Sequence, residues 1–144
     1  MLKRKRMIAL AAALFSTRGF GGSQVATNQG IPSEELQAVK NFQVLSALAR
    51  EGDQPETTRK VTHWLYFNGD AARQTCWERL RTKGFVLDSQ HMGEARDERF
   101  ALQIHHLGPA TAGSINPITI DLMHLAYEVG GDHDGWETSV EKRK

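Results

Sequence analysis

Gly130-Gly131-Asp132-His133-Asp134-Gly135-Trp136-Glu137 is the stretch on which the reading of this chain turns. Before it, Ile118, Leu122, Leu125, Ala126 and Val129 recur at helical spacing. Two glycines stop that helix, because a residue without a β-carbon enters the left-handed region freely. A short loop with one aromatic then enters a closing strand, His133 to Val140. Helix, glycine stop and strand together form the end of an α/β alternation, and the rest of that alternation lies upstream.

Asn116-Pro117 predicts the start of this helix, as cap and first-turn proline. Gly108 to Ser114 reads as a loop of small residues, preceded by a strand from Phe100 to Leu107 with Phe100, Leu102, Ile104 and His106 on one side. His91 to Glu98 reads as a polar loop and Phe85 to Gln90 as a short strand. Ala72, Cys76, Trp77 and Leu80 share one face of a helix that Asp70 can cap and Gly84 ends. Val61 to Phe67 is β-branched or aromatic almost throughout, and both alternating sets are bulky, which predicts a central strand covered on both sides. Further upstream, Ser33 caps a helix whose apolar stripe is Leu36, Val39, Phe42, Leu45 and Leu48, ended by Gly52. The order is α, then β-α-β-β-α-β: an α+β, ferredoxin-like βαββαβ antiparallel sheet with an additional N-terminal helix. That helix is expected to cover part of the sheet face that the other two leave open.

Composition divides the chain of 144 residues into parts. Residues 1–32 hold Lys3, Arg4, Lys5, Arg6 and Arg18 and no acid, whereas residues 33–141 carry a net charge of −7. The ends are basic, with a short tail at 141–144, and the expected domain at 33–140 is acidic. An acidic domain repels phosphate backbones and suits basic protein partners. Met7 to Phe15 is an apolar run behind a basic start, too short to span a bilayer and imperfect as an export signal, with Arg18 near the cleavage region. Residues 16–32 read as a flexible linker. The expected location is the cytoplasm; export is the alternative if residues 1–26 act as a signal peptide.

Candidate chemistry is sparse. Among six histidines, His105, His106, His124 and His133 with Asp132 and Asp134 suggest a metal site, but their spacing matches no tetrahedral cassette, and none is expected. The single Cys76 falls on an apolar helix face, where a thiol behaves as a small hydrophobe. No phosphate loop, nucleophile elbow or zinc-protease motif occurs, so neither an enzyme nor a cofactor is expected, nor a small-molecule substrate. RNA binding is the main competitor: Trp64, Tyr66, Phe100 and His105 lie on the strands that stack bases in the RNA-recognition layout. Acidity opposes direct nucleic-acid binding. A partner surface at Asp132, His133, Asp134, Trp136 and Glu137 is the remaining candidate, with Trp136 weighed against a purely structural role as a pin for the last strand.

From about Ser33 to Val140 the chain resembles the bacterial regulator of ribonuclease E activity B (RraB) family. The resemblance rests on the leading helix, Gly52-Asp53-Gln54-Pro55, the histidine-bearing strand Val61 to Phe67, the helix that runs into Lys83-Gly84-Phe85-Val86, and the closing helix before Asp134-Gly135-Trp136. It implies a non-catalytic protein that binds the scaffold region of ribonuclease E and lowers its activity. The alternative is an exported or membrane-associated domain of the same kind with an unrelated binding role.

Overall fold

The structure is a computed structural model, and it describes residues 7–9, 32–92 and 100–143. The readings made for residues 10–31 and 93–99 lie outside the described residues. In chain order the elements are β1 (Met7–Ala9), α1 (Glu34–Arg50), β2 (Arg59–Phe67), α2 (Asp70–Leu80) with a 3₁₀ turn (Arg81–Lys83), β3 (Val86–Met92), β4 (Phe100–Gly108), α3 (Ala112–Glu128) and β5 (Gly131–Ser139). The sheet order is β1-β5-β2-β4-β3, and every neighbouring pair is antiparallel. Without β1, this is the ferredoxin-like order expected from the sequence.

Val61, Leu65 and Phe67 of β2 are fully buried, as are Leu102 and Ile104 of the neighbouring β4, which pair with Leu65 and His63. With Cys76 and Leu80 of α2 and Leu122 and Ala126 of α3, most of these form one hydrophobic cluster. Ion pairs tie the two covering helices together at the rim, Arg79 to Glu128 at 2.8 Å and Lys83 to Asp121 at 3.7 Å.

The N-terminal helix corrects two expectations. Ser33 caps it as read, its hydroxyl accepting from the Leu36 N–H at 3.1 Å. The buried face, however, is Gln37, Asn41, Val44 and Leu48, and Leu36, Val39 and Phe42 are 54%, 53% and 70% exposed. The helix also lies beside α3 on the face already covered, above Trp136 and Val61, and not on the open face. The physical reason is an amide network. Gln37 donates to Asn41 Oδ1 at 3.0 Å, and Asn41 donates to Asn116 Oδ1 at 2.9 Å and to Thr119 Oγ1 at 2.8 Å. Buried polar groups are tolerated when every donor and acceptor is met, and here they are.

Helix α3 begins earlier than Asn116-Pro117. Thr111 caps it, accepting from the Ser114 N–H at 3.2 Å, and Pro117 sits inside. Proline has no backbone N–H, so the helix gives up one i→i−4 hydrogen bond at this early position. Asn116 is spent on Asn41 rather than on a cap.

Candidate protein-binding surface and the histidine chain

The strand β5 carries a bulge that organises the site. Trp64 pairs with Gly135, but Leu65 pairs with His133, so Asp134 is an extra residue. Strand side chains alternate, so an unbroken ladder would put His133 and Trp136 on opposite faces. The bulge puts both on the helix-covered face beside His63, the ladder partner of Trp136. Trp136 is 2% exposed, and its indole N–H donates to Asn41 Oδ1 at 2.9 Å. It is the pin of the last strand, buried between β5 and α1, rather than a side chain open to a partner.

His133, His63 and His106 form a continuous chain across β5, β2 and β4. His133 Nε2 lies 3.1 Å from His63 Nδ1, and His63 Nε2 lies 3.0 Å from His106 Nδ1. Phe85 closes over the pair, its ring centroid 6.1 Å from His63 and 5.9 Å from His106. Each contact needs one N–H and one lone pair, so the neutral chain is polarised, with a donor at one end and an acceptor at the other. Those ends, His133 Nδ1 and His106 Nε2, are buried without a hydrogen-bond partner among the described residues. Burial drives the His63 pKa well below the ordinary value, and the neighbouring rings His133 and His106 add to it. His106 is lowered to about 4 by burial and then by His105. His133 is lowered to about 4 by burial and then by Lys40, against a small opposing effect of Asp132.

The chain was invisible to the metal reading, which grouped His105, His106, His124 and His133 and left out the central His63. In the fold His105 Nδ1 lies 2.8 Å from Asp88 on β3, and His124 Nε2 lies 2.9 Å from Glu34 on α1. Among the described residues no group of three or more metal-ligating side chains is arranged to hold an ion. The thiol of Cys76 is fully buried, and burial pushes it up to about 11. A thiol held protonated in this way is a poor nucleophile.

The other candidates divide by face. Trp64 and Tyr66 lie half-buried on the open face, where His105 joins them, facing Thr62 across the ladder. Phe100 does not: it pairs with Phe67 on the covered face, packs on the core, and lies under the Arg73 guanidinium at 5.1 Å. The four-residue stacking platform is therefore corrected to three, because strand alternation separates Phe100 from the rest. In β5, Asp132 is exposed and pairs with Tyr66, and Glu137 is half-buried and pairs with Thr62, so both lie on the open face. A groove of about 770 Å³ runs past Phe85, Val86, His106, Pro117 and Ile118.

The quoted Gly52 to Pro55 turn also acquires a physical reason. Gly52 takes φ 81° after α1, and Asp53 is carried into the interior. Its carboxylate accepts from Arg59 Nη1 at 2.5 Å and from the Glu141 N–H at 2.7 Å. Arg59 also donates to the carbonyls of Thr57, Gln54 and Ser139. The loop, the start of β2 and the tail after β5 are thus bound through one buried ion pair.

The family model described as regulator of ribonuclease activity B matches residues 39–138. The chain belongs to the RraB family. The matched RraB region runs from within α1 to near the end of β5, and so contains the Gly52 to Pro55 turn, the three-histidine chain and the bulge. No curated protein matches the sequence. Membership makes the chain a regulator of ribonuclease activity, with a protein partner in RNA degradation. No helix among the described residues is long and apolar enough to cross a membrane.

Proposed function

We propose that this protein binds ribonuclease E through the enzyme's arginine-rich, non-catalytic scaffold region and lowers its activity without chemistry of its own, in the cytoplasm. The observation that carries the reading is the outward stripe on α1. Leu36, Val39 and Phe42 turn away from the core while polar Gln37 and Asn41 are buried in their place. Large exposed apolar side chains in one row mark a contact surface. Glu34 and Glu35 stand at the head of that row, on a domain with a net charge of −7 over residues 33–141. Apolar contact bordered by carboxylates suits arginine-rich segments, whose stems lie on apolar surface while the guanidinium meets acid. Asp132 and Glu137 extend the acidic surface to the far face of β5.

The test is titration of the full chain with the scaffold region of ribonuclease E, read by calorimetry at two salt concentrations, beside a cleavage assay. The expected result is saturable binding that weakens with salt and slows cleavage. Absence of binding by a folded protein at low salt overturns the reading.

A further inference from the structure

The three-histidine chain stops at two nitrogens that the fold leaves unused. His106 Nε2 and His133 Nδ1 are buried and have no hydrogen-bond partner among the described residues. A buried polar atom without a partner is both costly and rare. The two ends lie in different places. His106 belongs to the wall of the groove of about 770 Å³, with Phe85, Val86, Pro117 and Ile118. His133 borders a small cavity beside α1, with Gln37, Asn41 and Trp136. Gly108 leaves space next to the His106 end. A β-carbon built on it would stand 3.6 Å from His106 Nε2, 3.4 Å from His106 Cδ2 and 3.9 Å from Ser114 Oγ, all ordinary contacts. An atom of that size fits beside the nitrogen without displacing anything.

Phe85, Val86, Leu107, Pro117 and Ile118 make most of the groove apolar, and Val86 and Leu107 are exposed at its rim. Its charged groups are already matched, Lys83 with Asp121 at 3.7 Å and His105 with Asp88 at 2.8 Å. A charged ligand would surrender its hydration there without gaining a counter-charge. A flat ring, by contrast, buries a large apolar area between such walls and can still present one polar group at its edge. We infer that the groove is a binding site for a small, uncharged aromatic molecule with one hydrogen-bonding group, which enters the space over Gly108 and completes the histidine chain at His106 Nε2. Pockets of this size commonly combine apolar walls with a few fixed polar groups. A hydroxyl that donates to Nε2 fixes the sense of the whole chain. His106 then carries its proton on Nδ1 and donates to His63 Nε2, and His63 carries its proton on Nδ1 and donates to His133 Nε2. The last proton sits on His133 Nδ1. An acceptor at the same place sets the opposite sense. Occupancy of the groove thus decides whether a donor or an acceptor is presented beside α1, on the other side of β2. The site does not depend on the ribonuclease reading.

The experiment titrates the full chain with phenol and with toluene, which has the same ring and no polar group. NMR follows the groove side chains and the ring nitrogens of the three histidines. The expected result is saturable phenol binding that shifts Phe85 and Ile118 and leaves His106, His63 and His133 all protonated on Nδ1. Toluene should bind about tenfold more weakly, as loss of one hydrogen bond requires. Gly108→Ala should weaken phenol binding about tenfold and leave the urea midpoint unchanged, because its methyl fills the space beside Nε2 without a clash. Equal affinity for phenol and toluene overturns the site, and so do phenol shifts confined to other parts of the domain. Histidine rings in mixed tautomers in the phenol complex, or no phenol binding by the folded chain, overturn it as well. Unchanged phenol affinity in a folded Gly108→Ala chain has the same force. Should that variant fail to fold, the comparison of phenol with toluene on the parent chain decides.

Discussion

Asp53 and Gly131 show how much of the domain hangs on single side chains. Arg59 is 4% exposed, and among the described residues its carboxylate partner is the buried Asp53. Removing one member of such a pair leaves an uncompensated buried charge, which costs about 3–5 kcal/mol. Asp53→Ala should lower the urea midpoint accordingly, and it should also release the tail, because the Glu141 N–H loses its acceptor. Gly130 and Gly131 differ in kind although they stand side by side. Gly130 has φ 80°, so alanine there costs about 1 kcal/mol. A β-carbon on Gly131 would stand 2.4 Å from Phe67 Cδ1 and 2.7 Å from the Tyr66 carbonyl oxygen. The oxygen belongs to the backbone and cannot swing aside, so Gly131→Ala should be the more damaging change, by about 2 kcal/mol or more on the same measurement. The sequence shows both glycines as one helix stop. Only the packing of Phe67 separates a conformational role from a steric one, and no periodicity carries that information.

Elements were legible where their period was regular and opaque where tertiary contacts overrode it. The strand Val61 to Phe67 and the glycine-ended helices follow directly from alternation and stop signals. The face of α1 does not, because Asn41 is buried by acceptors and donors that arrive from α3 and β5, more than 70 positions away in sequence. The histidine chain was hidden for a similar reason: an extra residue at Asp134 changes which side chains meet, and a bulge has no period. The chain predicts a pH dependence. His106 and His133 have folded-state pKa values of about 4 against 6.5 when unfolded, so the unfolded state binds more protons between those values. Stability is fully present above about pH 6.5 and falls as pH drops toward 4, by a few kcal/mol after allowance for solvent screening. The groups that face the chain, Lys40, His105 and Asp132, modulate this but do not reverse it. His63→Leu should be destabilising by about 1–3 kcal/mol, because it orphans a nitrogen on each neighbour. The triple change His63→Leu/His106→Leu/His133→Leu removes every such atom and should recover part of that loss while flattening the acid slope. Urea midpoints at pH 7 and pH 5 decide both points.

At the scale of the whole molecule, the charge division and the outward stripe matter more than any single contact. Phe42 is 70% exposed, so Phe42→Ser should shift stability by no more than about 0.5 kcal/mol. It should weaken binding of the ribonuclease E scaffold region about tenfold, which corresponds to about 1.4 kcal/mol. Calorimetry of unfolding and of binding on the same preparation separates these outcomes, and unchanged binding would take the stripe out of the interface. The acidity of the domain was legible from counting charges, but the stripe was legible only as a core that the fold then turned outward. The position of β5 has one more consequence. It is the last strand in chain order, yet it pairs with β2 on one side and with β1, from almost the opposite end of the chain, on the other. While the polypeptide is being made, β2 has β4 but not β5 to lie against, and Met7 to Ala9 have α1 but not yet their ladder partner. Completion of the sheet is therefore postponed until β5 has been made, and in that interval the backbone groups of Met7 to Ala9 are open to whatever chaperone or targeting factor meets the nascent chain first.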